Sequence, residues 1–137
     1  MINIAVCAPN DAAELARMNR ILIEDEHADN NMSLPQLEHR MKAFLTGDYK
    51  AFYFNSDGNR VGYALVNLNV TPPYLRQFFI CREHRRLGNG KSSFHALLDF
   101  LQVSEIDIDV YSWNHAGIAF WESLGFSVRC YNMRFKK

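Results

Sequence analysis

The sequence has little that would indicate a secreted, metal-binding or membrane protein. Its three cysteines, Cys7, Cys81 and Cys130, are widely spaced and odd in number, so neither a disulfide framework nor a zinc site is expected, and no metal is predicted. No apolar run approaches the roughly 20 residues of a membrane span, and the N-terminus lacks the basic segment of a signal peptide. We therefore expect a protein of the reducing cytoplasm with no membrane partner.

The sequence also lacks an excess of charge of either sign. Its 15 Lys and Arg residues balance 15 Asp and Glu residues, so there is no global field to attract a polyanion, and nucleic acid is not expected as a partner. Hydrophobic residues make up 48% of the chain, which is typical of a globular protein. No repeat, linker or low-complexity segment interrupts it, so we expect a single domain over residues 1–137.

Apolar periodicity and turn residues predict the element order β-α-α-β-β-β-α-β-α-β. The predicted strands are 2–8, 49–55, 60–69, 74–81, 106–110 and 126–135. The predicted helices begin after Asn10 or Asp11, after Ser33, after Gly90 and at Asn114. This order indicates an α/β fold of the α+β kind, with a mixed central sheet and helices on both of its faces.

The segment 81–93, CREHRRLGNGKSS, leads from a predicted strand into a predicted helix. The free N–H groups and the dipole of a helix N-terminus favour an anion. Gly88 and Gly90 would let the backbone approach phosphate oxygens. Local positive charge comes from Arg82, Arg85, Arg86 and Lys91. The arrangement suits a pyrophosphate.

Other interpretations of this loop are weaker or less specific. In a P-loop the first glycine would fall at position 85, which is Arg85. A dinucleotide-binding GxGxxG motif would need a glycine at position 93, which is Ser93. A capped helix with a solvated basic loop stays open on this segment alone.

Two motifs taken together indicate a family. Residues 85–90, RRLGNG, match the pattern (Arg/Gln)-x-x-Gly-x-(Gly/Ala), and residues 114–126, NHAGIAFWESLGF, are similar to N-x-x-A-x-x-F-Y-x-x-x-G-F. Both patterns, in this order and context, are those of the GNAT superfamily of N-acetyltransferases. The chain resembles that superfamily over essentially its full length.

The resemblance implies acetyl-CoA as co-substrate and direct attack by an amine in a ternary complex. In such enzymes the strand before the phosphate loop splays from its neighbour, and the pantetheine arm lies in the gap. The backbone of Phe79, Ile80 and Cys81 would pair with this arm, and the Ile80 N–H would polarise the thioester carbonyl. The pyrophosphate would be received by Arg86, Leu87, Gly88, Asn89, Gly90 and Lys91, with Arg85 beside them, and Asn114, Phe120 and Trp121 would complete the cofactor site.

One position departs from the family pattern. Such enzymes commonly carry a tyrosine after the phenylalanine of the second motif, as the acid that protonates the departing thiolate. Here that residue is Trp121, whose indole cannot act as an acid near neutral pH. Tyr131 is our candidate for this role, with Tyr111 and solvent as alternatives.

The acceptor is expected at the acidic end of the first predicted helix. The run Glu24-Asp25-Glu26 would border the acceptor cleft, attract a cationic amine and let Glu26 take its proton, although a solvated helix end would read the same way. Arg76 and Gln77 are candidates to face this cleft. We expect a small cationic amine as acceptor. One alternative acceptor is a protein N-terminus or lysine. The alternative to an enzyme is a non-catalytic acyl-CoA-binding module, which Trp121 suggests. A homodimer is also compatible with the sequence.

Overall fold

In the computed structural model, which describes all 137 residues, one five-stranded sheet carries two helices on each face. The elements are β1 Asn3–Val6, α1 Ala12–Glu26, α2 Leu34–Thr46, β2 Tyr49–Ser56, β3 Asn59–Asn67, β4 Tyr74–Ile80, α3 Asn89–Leu101, β5 Asp107–Ile108 and α4 His115–Ser123. The strands lie in chain order. The first four are antiparallel, and β5 is parallel to β4. The predicted mixed α+β sheet is therefore confirmed.

The helices begin where the sequence carries capping residues. At α2 the Ser33 hydroxyl accepts the Gln36 N–H at 3.3 Å, and the Gln36 side chain accepts the Ser33 N–H at 2.8 Å. This reciprocal pair, followed by Pro35 in the first turn, fixes where the helix starts. None of the four helices is both long and apolar enough to cross a membrane.

Two hydrophobic layers, one on each face of the sheet, hold the fold together. Along β2, Ala51 and Tyr53 face α1 and α2, whereas Phe52 and Phe54 face α3. Successive residues of a strand point to opposite faces, and because helices cover both faces here, the middle of β2 is apolar throughout.

A bulge in β4 opens the sheet on one side. Leu65 of β3 lies opposite Gln77 and Val66 lies opposite Leu75, so Arg76 is an extra residue in β4. β5 pairs with β4 only at Tyr74–Asp107 and Leu75–Ile108. Past the bulge, the β4 edge has no strand partner. This unpaired edge lies where the family resemblance implies a splayed gap, and we call the space beside it the gap.

The last predicted strand, 126–135, is not formed, and this prediction was wrong. Residues 126–137 contain no helix or strand, and side chains of both alternating sets, such as Val128, Tyr131 and Phe135, are exposed. β5 covers only two residues of the predicted 106–110, so it offers no edge for a partner of ten residues. Strand-like alternation does not make a strand where the backbone groups find no partner.

Candidate active site

A row of free backbone donors precedes and begins α3. From residue 86 onwards, the first backbone N–H that has an acceptor within the protein is that of Ser92, which donates to the Gly88 carbonyl at 3.1 Å. The N–H groups of residues 86–91 have no acceptor within the protein, and no side chain caps the helix. Gly88 adopts φ +79°, a conformation that favours glycine. Free donors at a helix N-terminus suit an anion, so this loop fits a pyrophosphate.

The two sequence motifs meet at Gly90. A Cβ atom on Gly90 would lie 3.0 Å from the Phe120 ring, which stacks on Phe78 with 6.1 Å between ring centroids. A larger residue at position 90 would push α4 away from α3. The small residue of the first motif and the phenylalanine of the second motif therefore belong to one packing contact.

Arg85 and Arg82 are held by a carboxylate of α1 in what we call the Asp25 clamp. Asp25 accepts from the Nη2 atoms of Arg82 and Arg85, each at 2.6 Å, while Arg85 Nε donates to the Ile80 carbonyl at 2.7 Å. Burial raises the pKa of Asp25, but the hydrogen bonds and charges of the two arginines outweigh it, so that the pKa is lowered. The clamp joins the end of α1 to the phosphate loop.

The other side chains of the loop face solvent or the loop itself. Arg86, Leu87 and Lys91 are exposed and form no ion pair or hydrogen bond, which leaves both cations free to approach a ligand. Asn89 Nδ2 donates to the His84 carbonyl at 2.8 Å and so ties the loop to its own start.

At the end of β4, the backbone directs one donor into the gap. The Cys81 N–H donates to the Val61 carbonyl of β3 at 2.8 Å. Because N–H groups of an antiparallel strand alternate between its two edges, the Phe79 N–H also points to β3 and the Ile80 N–H points to the open edge. Among the three residues expected to pair with a pantetheine arm, Ile80 thus offers the outward donor, whereas Phe79 and Cys81 direct theirs to β3.

The second motif forms the wall on the α3 and α4 side. Asn114 caps α4 by accepting the Gly117 N–H at 3.0 Å. Trp121 packs edge-on against Phe78 and Phe126, each at 5.2 Å between ring centroids, and against Phe94 at 5.7 Å. This surrounding of rings gives Trp121 a packing role.

Glu26, the last residue of α1, is partly buried and forms no ion pair. Burial, and then the charge of Asp25, raises its pKa above the usual carboxyl value. The Trp113 indole N–H donates to the Glu26 carbonyl at 3.0 Å, and Trp113 stacks on Tyr111 at 4.5 Å. The loop after β5 therefore reaches the end of α1 and brings the Trp113 ring to Glu26.

The neighbouring acids are already neutralised. Glu24 lies within ion-pair distance of Arg20 and Arg82, and Asp25 binds Arg82 and Arg85. Of the run Glu24–Glu26, Glu26 is thus the carboxylate without a cation.

Comparison with known proteins decides the family. A model of the acetyltransferase (GNAT) family matches residues 15–126. The chain belongs to the GNAT acetyltransferase family. No curated protein sequence matches the chain.

Solved structures share this fold at low sequence identity. A possible acetyltransferase from Clostridium difficile 630 aligns with a TM-score of 0.78 and 18% identity, covering 100% of this chain and 97% of that one. An aminoglycoside acetyltransferase from an uncultured soil metagenomic sample, in complex with sisomicin, gives 0.70 and 19%, covering 99% and 95%. A ribosomal-protein-alanine N-acetyltransferase from Brucella melitensis biovar Abortus 2308 gives 0.70 and 18%, covering 98% and 100%. At these identities the likeness concerns the fold.

In this GNAT acetyltransferase, the candidate acid Tyr131 is exposed to solvent. It belongs to the segment after α4, is 84% exposed and forms no hydrogen bond. The Arg134–Asp29 ion pair at 3.2 Å joins this segment to the loop after α1. The structure therefore brings Glu26 and the loop after β5 together, and leaves Tyr131 in solvent.

A polar network between the sheet and helices α1 and α2 was not predicted from the sequence. The Tyr63 hydroxyl donates to Gln77 Oε1 at 2.7 Å, and Arg40 Nη2 donates to Asn19 Oδ1 at 3.0 Å. Asn19 and Gln77 are both buried. The signal that could have revealed the network is Asn19 itself, a polar residue next to Met18 on the apolar stripe of α1.

Proposed function

We propose that residues 1–137 act as one N-acetyltransferase domain that uses acetyl-CoA. The observation that carries this proposal is the run of free N–H groups at residues 86–91, which lies directly after the open edge of β4. It provides an anion site beside the gap, where the edge of β4 has no strand partner. Acetyl-CoA, when bound, supplies an acetyl group as a thioester.

Two groups of the chain have suitable roles in transfer to an amine. The Ile80 N–H points into the gap and would stabilise negative charge on the acetyl oxygen. Glu26 would accept the proton of the incoming ammonium group, and its raised pKa makes it a stronger base than an ordinary carboxylate. Holding both substrates in the gap would favour direct attack by the amine.

The proton for the departing sulfur has to come from another group. Trp121 lies among aromatic rings and carries no acidic proton near neutral pH. We propose Tyr131 for this role, acting from the segment after α4, with solvent as the alternative.

The acceptor of our proposal is a small amine that arrives as an ammonium ion. Support comes from Glu26, whose carboxylate has no cation partner and whose backbone carbonyl accepts the indole N–H of the exposed Trp113. A free carboxylate attracts an ammonium ion, and an exposed aromatic face also favours one.

The test is release of coenzyme A from acetyl-CoA in the presence of a panel of small amines and of peptides. We expect turnover with small amines, and a large loss in Lys91→Glu, which places a negative charge at the phosphate loop. Lys50→Glu, at an exposed position of β2, is the matched control and should behave like the parent. Binding without any turnover would indicate an acyl-CoA-binding module, and a preference for peptides would indicate a protein acceptor.

A further inference from the structure

Two arginines lie against the same aromatic ring with no carboxylate partner. The guanidinium carbon of Arg40, on α2, is 5.4 Å from the centroid of Phe44, and that of Arg76, on β4, is 4.9 Å from it. All ion pairs of the structure involve other arginines. Arg76 is the extra residue of the β4 bulge, and such bulges re-aim a side chain.

The positive charge at this pair is not balanced by the protein. Burial, and then the charge of Arg76, lowers the pKa of Arg40, and the groups that favour its charge are the phenols of Tyr63 and Tyr111. Like charges held close together without a counter-charge are unfavourable. Perturbed charged groups are concentrated at functional sites, and here a ligand with a negative group would supply the missing counter-charge.

Arg40 also has a buried donor without an acceptor. Its Nη2 donates to Asn19 Oδ1 at 3.0 Å, but its Nε atom is buried and has no hydrogen-bond partner. Buried donors are nearly always paired, so the Arg40 Nε–H lacks an acceptor, which an anionic oxygen of a ligand would supply.

The arginine pair belongs to the same polar region as Glu26. Burial raises the pKa of the Tyr63 phenol, and the charges of Arg40 and Glu26 also act on this pKa, so both groups lie near Tyr63. Tyr63 is fixed there by its 2.7 Å hydrogen bond to Gln77, the residue next to Arg76. The region therefore has a negative end at Glu26 and a positive end at the arginines.

We propose that Arg40 and Arg76 bind a carboxylate of the acceptor, so that the acceptor is a small amino acid. The inference rests on the proposed function and specifies its substrate class. The ammonium group would lie at Glu26 and the carboxylate at the arginines, whose planar donors match a carboxylate. The acceptor would then carry both charges, whereas the acidic run in the sequence favoured a purely cationic molecule.

The experiment compares amino acids with their amides and with their decarboxylated amines, using acetyl-CoA as donor. We expect the free amino acid to have the highest kcat/KM. Arg76→Gln and Arg40→Gln should each lower that value by at least about tenfold, as expected for hydrogen bonds to a charged group, and leave the KM for acetyl-CoA unchanged. Arg17→Gln, exposed on α1, is the charge-matched control. Because Arg76 is exposed, Arg76→Gln keeps the test valid even if Arg40→Gln does not fold.

The outcomes separate this inference from the proposed function. Turnover of the amide or the decarboxylated amine at an equal or higher kcat/KM overturns the carboxylate site and leaves the acetyltransferase intact. If no amine is turned over, the carboxylate site is tested by the NMR signal of the Arg40 Nε–H, recorded in the protein saturated with coenzyme A. A shift on addition of the amino acid but not of its amide supports the site, and no shift with either overturns it.

Discussion

At the scale of single residues, Glu26 differs from its acidic neighbours because it is partly buried and unpaired. Burial and the charge of Asp25 raise its pKa, so its ionised form, the active base, is lost at a higher pH than for an ordinary glutamate. Above that pKa an ammonium substrate can bind and give its proton to the enzyme, and the rate then depends little on pH until the amine itself loses its proton.

We predict that Glu26→Gln lowers kcat/KM for the amine by roughly 10²-fold near neutral pH, within the usual effect of losing a general base. The variant can use only the neutral amine, so its kcat/KM should rise steeply across about pH 6–9, where the parent is flatter. Steady-state kinetics over this range check the prediction, with Glu24→Gln as the matched control. Equal profiles for Glu26→Gln and the parent would make Glu26 an ordinary helix end.

Trp121 and Tyr131 are two aromatic residues with opposite expected roles. Trp121 is surrounded by rings, so Trp121→Phe should keep turnover within about tenfold of the parent.

Tyr131→Phe removes the proposed acid and should cost roughly 10²-fold or more in kcat. Both are measured at saturating substrates. A Tyr131→Phe enzyme as fast as the parent would assign the proton to solvent, and a collapse of activity in a folded Trp121→Phe would show that Trp121 does more than pack.

At the scale of elements, the Asp25 clamp connects α1 to the phosphate loop. Asp25 is only 22% exposed at its side chain and accepts from two arginines of the loop. Because its pKa is lowered, the clamp is complete above the ordinary carboxyl pKa and is lost only as the pH falls through the lowered value.

We predict that Asp25→Asn weakens acetyl-CoA binding at neutral pH and raises the KM for acetyl-CoA more than the KM for the amine. The physical reason is that Arg85, released from Asp25, would no longer hold the loop against the Ile80 carbonyl. Calorimetric titration measures the effect. Asp29→Asn breaks an exposed pair of the same region and should change nothing, because such pairs contribute only about 0–1 kcal/mol. A larger effect of Asp29→Asn would show that the clamp is not specific.

The elements themselves were predicted well wherever local signals agree with tertiary packing. All four helices were predicted, and the starts of α2 and α4 follow from Ser33 and Asn114, whose caps are local interactions. The strand predicted at 126–135 is not formed for the opposite reason. Its alternation of residues is a local signal, but a strand depends on a partner edge that a two-residue β5 does not provide.

At the scale of the whole molecule, the two halves of the site differ in how far the sequence reveals them. The phosphate loop is one continuous segment, so its glycines and free N–H groups could be read directly from residues 85–91. The arginine pair joins α2 to a bulge in β4, and it lies near Tyr63, a residue of a third element that is also near Glu26. No local sequence pattern indicates that these elements lie together. The bulge that orients Arg76 depends on the register between β3 and β4, which the sequence of one strand does not give.

This GNAT protein is expected to bind acetyl-CoA through the free N–H groups of residues 86–91, and thermal unfolding with acetyl-CoA tests that binding most directly. At about 100 times its dissociation constant the ligand should stabilise the fold by roughly 2.7 kcal/mol. Acetylated pantetheine, which lacks the pyrophosphate, should stabilise it far less at the same concentration. A melting temperature that rises with acetyl-CoA but not with acetyl-pantetheine is the predicted result. A melting temperature that does not move with millimolar acetyl-CoA, or that moves equally with both compounds, would contradict the claim.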